Sequence, residues 1–123
     1  MSDPLLEKHC APCEGIGMPL DAVAAQQLLA QLTGNWELVD GKKIKRTFVY
    51  STFRKAIAFV NAIADLAEAE NHHPDLSVRY NKVIVSLPTH VIGGLSENDF
   101  ILARKIEELF DVIPSHVEGS RSR

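Results

Sequence analysis

Apolar and polar positions in this chain alternate in two ways, with a helical period in some segments and a period of two in others. Residues 20–32 have the helical period, and Asp21 is in position to cap a helix there. Residues 36–39 and 44–50 are short strand-like runs, the second rich in β-branched and aromatic side chains. An Asp-Gly pair at residues 40–41 joins them and favours a tight turn. The pattern therefore predicts one helix followed by a hairpin.

A longer helix is predicted from a cap at Ser51 or Thr52 to about Glu70. The positions expected to face the sheet share the helical spacing: Phe53, Ile57, Val60, Ile63 or Ala64, and Ala67. Three further apolar residues continue around the helix: Phe59, Ala62 and Leu66. This second surface indicates contact with a partner subunit, and a deeply buried central helix is the other interpretation.

Two alternating runs at residues 76–80 and 83–87 predict a second hairpin, after which Ser96 can cap a final helix reaching about Phe110. The order is then helix, hairpin, helix, hairpin, helix. This order predicts an α+β fold in which a four-stranded antiparallel sheet carries three helices on one face.

Length and composition favour one ordinary globular domain, since the 123 residues are 46% hydrophobic and 24% charged. We assign residues 20–110 to this domain, residues 1–19 to an irregular N-terminal arm and residues 111–123 to a polar C-terminal tail. A bare sheet edge on so small a domain needs protection, so we expect a homodimer or homotetramer.

Charge and hydropathy exclude two classes of partner. A net charge of -3 with scattered Lys and Arg argues against direct binding of nucleic acid. The longest apolar stretch, residues 56–69, contains charged side chains and is too short to span a bilayer. The chain also begins without a basic and then apolar leader, so we expect a cytoplasmic location without membrane contact.

The chain has two cysteines, Cys10 and Cys13, in a C-x-x-C arrangement next to His9. Such a pair can be a redox site, half of a zinc site or a reduced pair without chemistry. Because no second cysteine pair follows and prolines and glycines surround the motif, we favour the reduced, non-catalytic interpretation.

Two adjacent histidines, His72 and His73, lie where the long helix meets the third strand, because Pro74 ends the helix. If the second hairpin turns on residues 81–82, opposed residue numbers sum to 163. The pairs are then Tyr80 with Val83, Val78 with Val85, and Leu76 with Leu87. Extending that register brings His90 opposite His73, and the three imidazoles would cluster at the open end of the hairpin.

Three interpretations of this cluster compete. Three histidines can bind zinc, although neighbouring residues point apart and neither H-x-H nor H-x-x-x-H spacing occurs among them. They can also be loop histidines bonded to the backbone. We favour metal-free acid–base catalysis of water elimination, because a pKa near 6.5 lets one imidazole accept a proton while another donates one.

Two carboxylates can support these histidines. Asp99 lies on the inward face of the last helix, and the Ser96-x-x-Asp99 spacing fits a helix-capping role equally well. Glu68 is four residues before His72 and can lie one turn above it, although a solvated helix carboxylate is as plausible.

The spacing Glu68-x-x-x-His72-His73-Pro74, followed by Tyr80, His90 and Asp99, resembles the signature of the pterin-4a-carbinolamine dehydratases. The likeness extends from about Leu20 to Leu109. It implies conversion of 4a-hydroxytetrahydropterin to quinonoid dihydropterin and water, which recycles the cofactor of aromatic amino-acid hydroxylases. The resemblance implies neither a metal nor a cofactor.

The resemblance also implies roles for individual residues. His72 and His90 would be the acid–base residues and His73 would position the pterin substrate, whereas the hairpin register pairs His90 with His73. Residues implied to support binding or the histidines are Glu68, Asn71, Thr89 and Asp99. This chain departs from the family where Asn71 replaces a frequent Asp and Pro88 replaces a frequent Ser.

A second class of function follows from the same likeness. Members of this family also resemble a dimerisation cofactor that binds a transcription factor through its helices. The apolar surface expected around the long helix suits such a protein partner as well as self-assembly.

Overall fold

The structure is a computed structural model that describes residues 4–10, 19–89 and 93–112. Its elements, in chain order, are α1 (Pro4–Glu7), α2 (Ala22–Leu29), β1 (Glu37–Val39), β2 (Lys43–Val49), α3 (Phe53–Glu70), β3 (Asp75–Arg79), β4 (Lys82–Leu87) and α4 (Glu97–Val112). The four strands form one antiparallel sheet, which confirms the α+β prediction.

The sheet has the strand order β1-β2-β4-β3, so the second strands of the two hairpins pair at its centre. The first hairpin turns through Asp40 and Gly41, which have φ angles of 54° and 67° as the Asp-Gly pattern predicts. In the central pair Ile44 opposes Leu87 and Phe48 opposes Val83. The outer strands, β1 and β3, form the two edges of the sheet.

One face of the sheet forms the hydrophobic core. On β4 the buried positions are Val83, Val85 and Leu87, which alternate with half-buried Ile84 and Ser86. A strand turns successive side chains to opposite faces, so the three buried residues share one side. Helix α3 packs against β3, β4 and α4, while α1 and α2 contact α4.

Side-chain caps fix where the first two long helices begin. The Asp21 carboxylate accepts from the Ala24 N–H at 2.8 Å and caps α2. For α3 the cap is Thr52, whose hydroxyl accepts from the Lys55 N–H at 3.1 Å. Of the two predicted caps for α3, Thr52 is therefore the one used.

The inward face of α3 differs from the predicted one. Its buried residues are Ala56, Phe59, Ile63 and Ala67. Phe59 is fully buried against Phe48 and Tyr50, whereas Phe53 is 51% exposed. The prediction that Phe59 lies on an outward surface is wrong, because the helix is rotated so that its one large aromatic side chain in mid-helix fills the core. No helix of the described ranges is long and apolar enough to cross a bilayer.

The structure contains a fourth helix that the sequence pattern does not predict. Helix α1 has only four residues, Pro4–Glu7, which is too short for a periodic signal. Its Leu5 is 1% exposed and belongs to the core, and the helix packs on α4. The expected count of three helices is therefore corrected to four in the described part of the chain.

The second hairpin has a different register from the predicted one. Val78 pairs with Val83, and Leu76 with Val85, so opposed residue numbers sum to 161. The turn consists of Tyr80 and Asn81, with Tyr80 at φ 56°. A displacement by two residues keeps every side chain on its predicted face, so hydrophobic alternation does not distinguish the two registers. The predicted pairing of His73 with His90 therefore loses its basis.

Candidate functional site

The end of α3 directs His72 into the protein. Asn71 closes the helix in the left-handed conformation, with φ 53° and ψ 42°, which Asn adopts more readily than most residues. The His72 N–H then donates to the Ala67 carbonyl at 3.2 Å. After this reversal the His72 residue is only 5% exposed.

The partner of His72 is Asp99, a fully buried carboxylate in the first turn of α4. His72 Nε2 lies 2.9 Å from Asp99 Oδ1, and the Ser96 N–H donates to Asp99 Oδ2 at 3.0 Å. The second contact is the backbone half of a capping box. Asp99 therefore contacts both His72 and the start of its own helix, and the start of the helix also favours its negative charge.

Two buried hydroxyls complete this cluster. The Thr89 hydroxyl donates to Asp99 Oδ2 at 2.7 Å and lies 2.7 Å from Ser96 Oγ. A hydroxyl has one proton to give, so the Ser96 hydroxyl donates to Thr89. The sequence identified Ser96 only as a helix cap. Its position three residues before Asp99 was the signal that it would lie beside that carboxylate.

This geometry determines how the His72 ring can act. An ionised carboxylate only accepts hydrogen bonds, so the contact with Asp99 requires a proton on His72 Nε2. In the neutral ring Nδ1 is then the basic nitrogen. Asp99 fixes the ring orientation and can stabilise the imidazolium formed when Nδ1 takes a proton.

His73 has a different environment from its neighbour. Its side chain is 54% exposed, and its Nε2 lies 2.7 Å from Glu68 Oε2, which belongs to a side chain 77% exposed. Glu68 thus contacts His73 rather than lying over His72 as the helical spacing indicated. The two neighbouring histidines therefore have different carboxylate partners: His72 contacts Asp99 inside the protein, and His73 contacts Glu68 at its surface.

The third predicted histidine, His90, lies outside the described residues, as does Cys13. His90 directly follows Thr89, whose backbone N–H donates to Gly94 O at 2.7 Å. Among the residues with described positions, no three His, Cys, Asp or Glu side chains are grouped as a metal site requires.

The described cysteine, Cys10, is half-buried beside the end of α3. Burial, followed by the negative charge of Glu70, raises the pKa of its thiol to about 12. The nucleophilic form of cysteine is the thiolate, so this shift disfavours the reactive form of Cys10.

Comparison with known proteins connects this geometry to a family. Residues 18–109 match the family described as pterin 4 alpha carbinolamine dehydratase. A protein of Legionella pneumophila (strain Corby), named "Putative pterin-4-alpha-carbinolamine dehydratase", is 49% identical over 110 residues, covering 89% of this chain and 97% of its own. A protein of the same name from Nitrosospira multiformis is 48% identical over 110 residues, covering 89% and 96%.

A solved structure is similar as well. It is a crystal structure of a transcriptional coactivator/pterin dehydratase from Brucella melitensis, 36% identical in sequence, with a TM-score of 0.69. The match covers 74% of this chain and 97% of that one. The family match runs from before α2 through most of α4 and includes all the residues of the buried cluster. The chain belongs to the pterin-4a-carbinolamine dehydratase family.

Proposed function

We propose that this protein converts 4a-hydroxytetrahydropterin to quinonoid dihydropterin and water, and so recycles the pterin cofactor of aromatic amino-acid hydroxylases. The observation that carries the proposal is the buried hydrogen-bonded chain from His72 through Asp99 to Thr89. Family membership supports it, because relatives across nearly the whole chain are named for this activity.

The reaction needs one proton donor and one proton acceptor. The C4a–O bond breaks and a double bond forms between C4a and N5, while N5 loses its proton and the departing hydroxyl gains one. Imidazoles suit both transfers near neutral pH. We assign the two transfers to His72 and His90, with no metal and no cofactor taking part.

Asp99 orients His72 for the proposed transfer. With Nε2 bonded to the carboxylate, a proton taken up at Nδ1 produces an imidazolium whose charge lies beside a buried negative charge. Thr89 and the Ser96 N–H hold the other carboxylate oxygen, so the carboxylate cannot rotate away from the ring.

The exposed residues near the end of α3 suit substrate binding. His73 and Glu68 form a hydrogen-bonded pair at the surface, and we assign them to positioning the pterin ring. Asn71 supports both histidines through the left-handed turn that sends His72 inward while His73 remains exposed.

The test is to follow dehydration of freshly generated 4a-hydroxytetrahydropterin with and without a strong chelator. We expect acceleration over the spontaneous reaction that the chelator leaves unchanged. Absence of acceleration would refute the enzymatic function, and loss of activity on chelation would refute the metal-free mechanism.

We further propose that the protein forms a homodimer or homotetramer, because β1 and β3 leave two sheet edges on a small domain. Light scattering should then give a mass two or four times that of the 13.6 kDa chain. A monomer at micromolar concentration would contradict this proposal.

A second candidate function is that of a coactivator-type binding protein, favoured by the name of the Brucella structure. The exposed Phe53 at the start of α3 is a contact available to a protein partner. If binding is the function, Phe53→Ser should weaken the complex with a partner while leaving dehydration unchanged. If the protein is an enzyme without such a partner, Phe53→Ser should alter no partner complex.

A further inference from the structure

Glu70, in the last turn of α3, is a half-buried residue that the proposed reaction does not use. Its side chain is 6% exposed and accepts three hydrogen bonds. The donors are the Cys10 N–H at 2.8 Å, Lys105 Nζ at 2.9 Å and His9 Nδ1 at 2.9 Å. Glu70 therefore joins three parts of the chain: residues 8–10 of the N-terminal arm, α3 and α4.

The same arm also contacts the start of α4. The Cys10 thiol donates to the Asn98 carbonyl at 3.7 Å, and Lys8 forms an ion pair with Glu97. Earlier in the arm, Leu5 is buried in the core and anchors α1 against α4. Residues 8–10 are thus attached to both α3 and α4.

Each of these attachment points lies next to one member of the His72–Asp99 pair in the sequence. Glu70 is two residues before His72, and Asn98 is the residue before Asp99. The His72–Asp99 hydrogen bond joins the end of one helix to the start of another, so its length depends on how those two ends are placed. A displacement of about 1 Å in such a pair is enough to lower a reaction rate by about 100-fold.

We propose that Glu70 is a positioning residue for the His72–Asp99 pair. By binding the arm at Cys10 and α4 at Lys105, its carboxylate keeps the end of α3 at the distance from α4 that the hydrogen bond requires. As far as catalysis is concerned, this inference rests on the proposed function.

The charge of Glu70 is constant over the range in which imidazoles titrate. Burial on its own raises the pKa of Glu70, but hydrogen bonds from Cys10, Lys105 and His9 and the charge of Lys105 outweigh it and hold that pKa at about 2. A group ionised throughout this range does not exchange protons with a substrate near neutral pH. Its contribution to the reaction is therefore through geometry.

The test compares Glu70→Ala and Glu70→Gln with Glu107→Gln. Glu107 is a buried α4 carboxylate that also fixes a distant backbone segment, and it lies eight residues beyond Asp99. Glu107→Gln is the matched control: it should lower the stability of the protein without displacing His72. The readouts are kcat and KM for dehydration, and the NMR titration of the His72 ring in the substrate-free protein.

We expect Glu70→Ala to lower kcat by about 10- to 100-fold with KM changed less than about threefold, and to shift the His72 titration midpoint. Glu70→Gln keeps an acceptor for the Cys10 N–H and should lose less activity than Glu70→Ala. Glu107→Gln should leave kcat and the His72 titration unchanged in the folded protein.

Two results would overturn the inference: wild-type kcat and His72 titration in Glu70→Ala, or the same His72 shift in the Glu107 control. If Glu70→Ala does not fold, Glu70→Gln and Lys105→Gln give the same comparison. If the wild type lacks dehydratase activity, the proposed function fails, and the NMR titration still decides whether Glu70 positions His72.

Discussion

Helix α4 carries two buried carboxylates, Asp99 and Glu107, that look alike by burial and differ in their partners. The two residues are 0% and 1% exposed. Eight residues separate them, a distance of about 12 Å along a helix. Both are surrounded by hydrogen-bond donors, so burial and saturation by donors do not distinguish a functional carboxylate from a structural one.

The chemistry of the donors does distinguish them. Glu107 accepts from the Thr33 N–H, the Gly34 N–H, Trp36 Nε1–H and Arg46. All of these donors keep their protons at any physiological pH. Asp99 instead bonds to the imidazole of His72, a side chain whose chemistry allows it to donate or accept a proton. The comparison indicates that a buried carboxylate is a candidate for a reactive site when a buried donor can exchange its proton, as His72 can at Asp99. The imidazole at Glu70, that of His9, is instead 82% exposed.

Asp99→Asn should have the largest effect on activity. The amide has one acceptor oxygen where Asp99 has two, and its NH₂ group would face the donors His72, Thr89 or Ser96. We expect kcat/KM for dehydration to fall by about 100-fold or more, as measured by stopped flow. A thermal melt checks that the variant is folded, and activity within about threefold of wild type would remove Asp99 from the mechanism.

Glu107→Gln should show the opposite behaviour. It removes the charge that Trp36 Nε1–H and Arg46 contact, and it leaves His72 and Asp99 in place. We expect the free energy of unfolding to fall by about 2–4 kcal/mol in urea titrations. The rate per folded molecule should stay at the wild-type value, and a 100-fold loss of activity would mean that the two carboxylates are functionally equivalent.

A third carboxylate, that of half-buried Glu70, sharpens the comparison through pH. Its pKa is held at about 2 in the folded protein and is about 4.3 in an unfolded chain, so the unfolded state binds more protons between these values. The stability that Glu70 contributes is fully present above about pH 5 and is lost as the pH falls toward 2. Urea unfolding at pH 5 and pH 3 should show a smaller loss in Glu70→Gln than in wild type. An equal loss in both proteins would contradict the lowered pKa.

The half-exposed carboxylate Glu97, at the start of α4, should matter least. Its ion pair with Lys8 joins side chains that are 44% and 50% exposed. Solvent and salt screen such pairs, so Lys8→Ala should change the free energy of unfolding by less than about 0.5 kcal/mol. A loss above about 1 kcal/mol in urea titration would show that the arm depends on this pair as well as on Glu70.

Local patterns predicted what depends on neighbouring residues. Asp21 and Thr52 cap their helices, and Asp40-Gly41 forms its turn, because each of these effects involves backbone groups within three residues. The signature from Glu68 to Asp99 likewise identified the family, since a motif is read directly from the sequence.

Features set by tertiary packing were beyond these patterns. The second hairpin is displaced by two residues, a change that keeps the alternation of apolar positions. Phe59 faces inward because the rings of Phe48 and Tyr50 lie there. The hydrogen bonds from the arm to Glu70 join residues that are 60 or more positions apart in the sequence. The periodicity of apolar residues does not predict such long-range contacts.

The most direct test of the central claim is the dehydration rate of His72→Ala beside that of wild type, at equal concentrations of folded protein. We propose that His72 takes up a proton in the reaction and that Asp99 stabilises the resulting imidazolium. The variant should then lose at least about 100-fold in kcat/KM. It should keep the oligomeric state of the wild type. Turnover by His72→Ala at the wild-type rate would contradict the assignment of His72 and its buried carboxylate to the reaction.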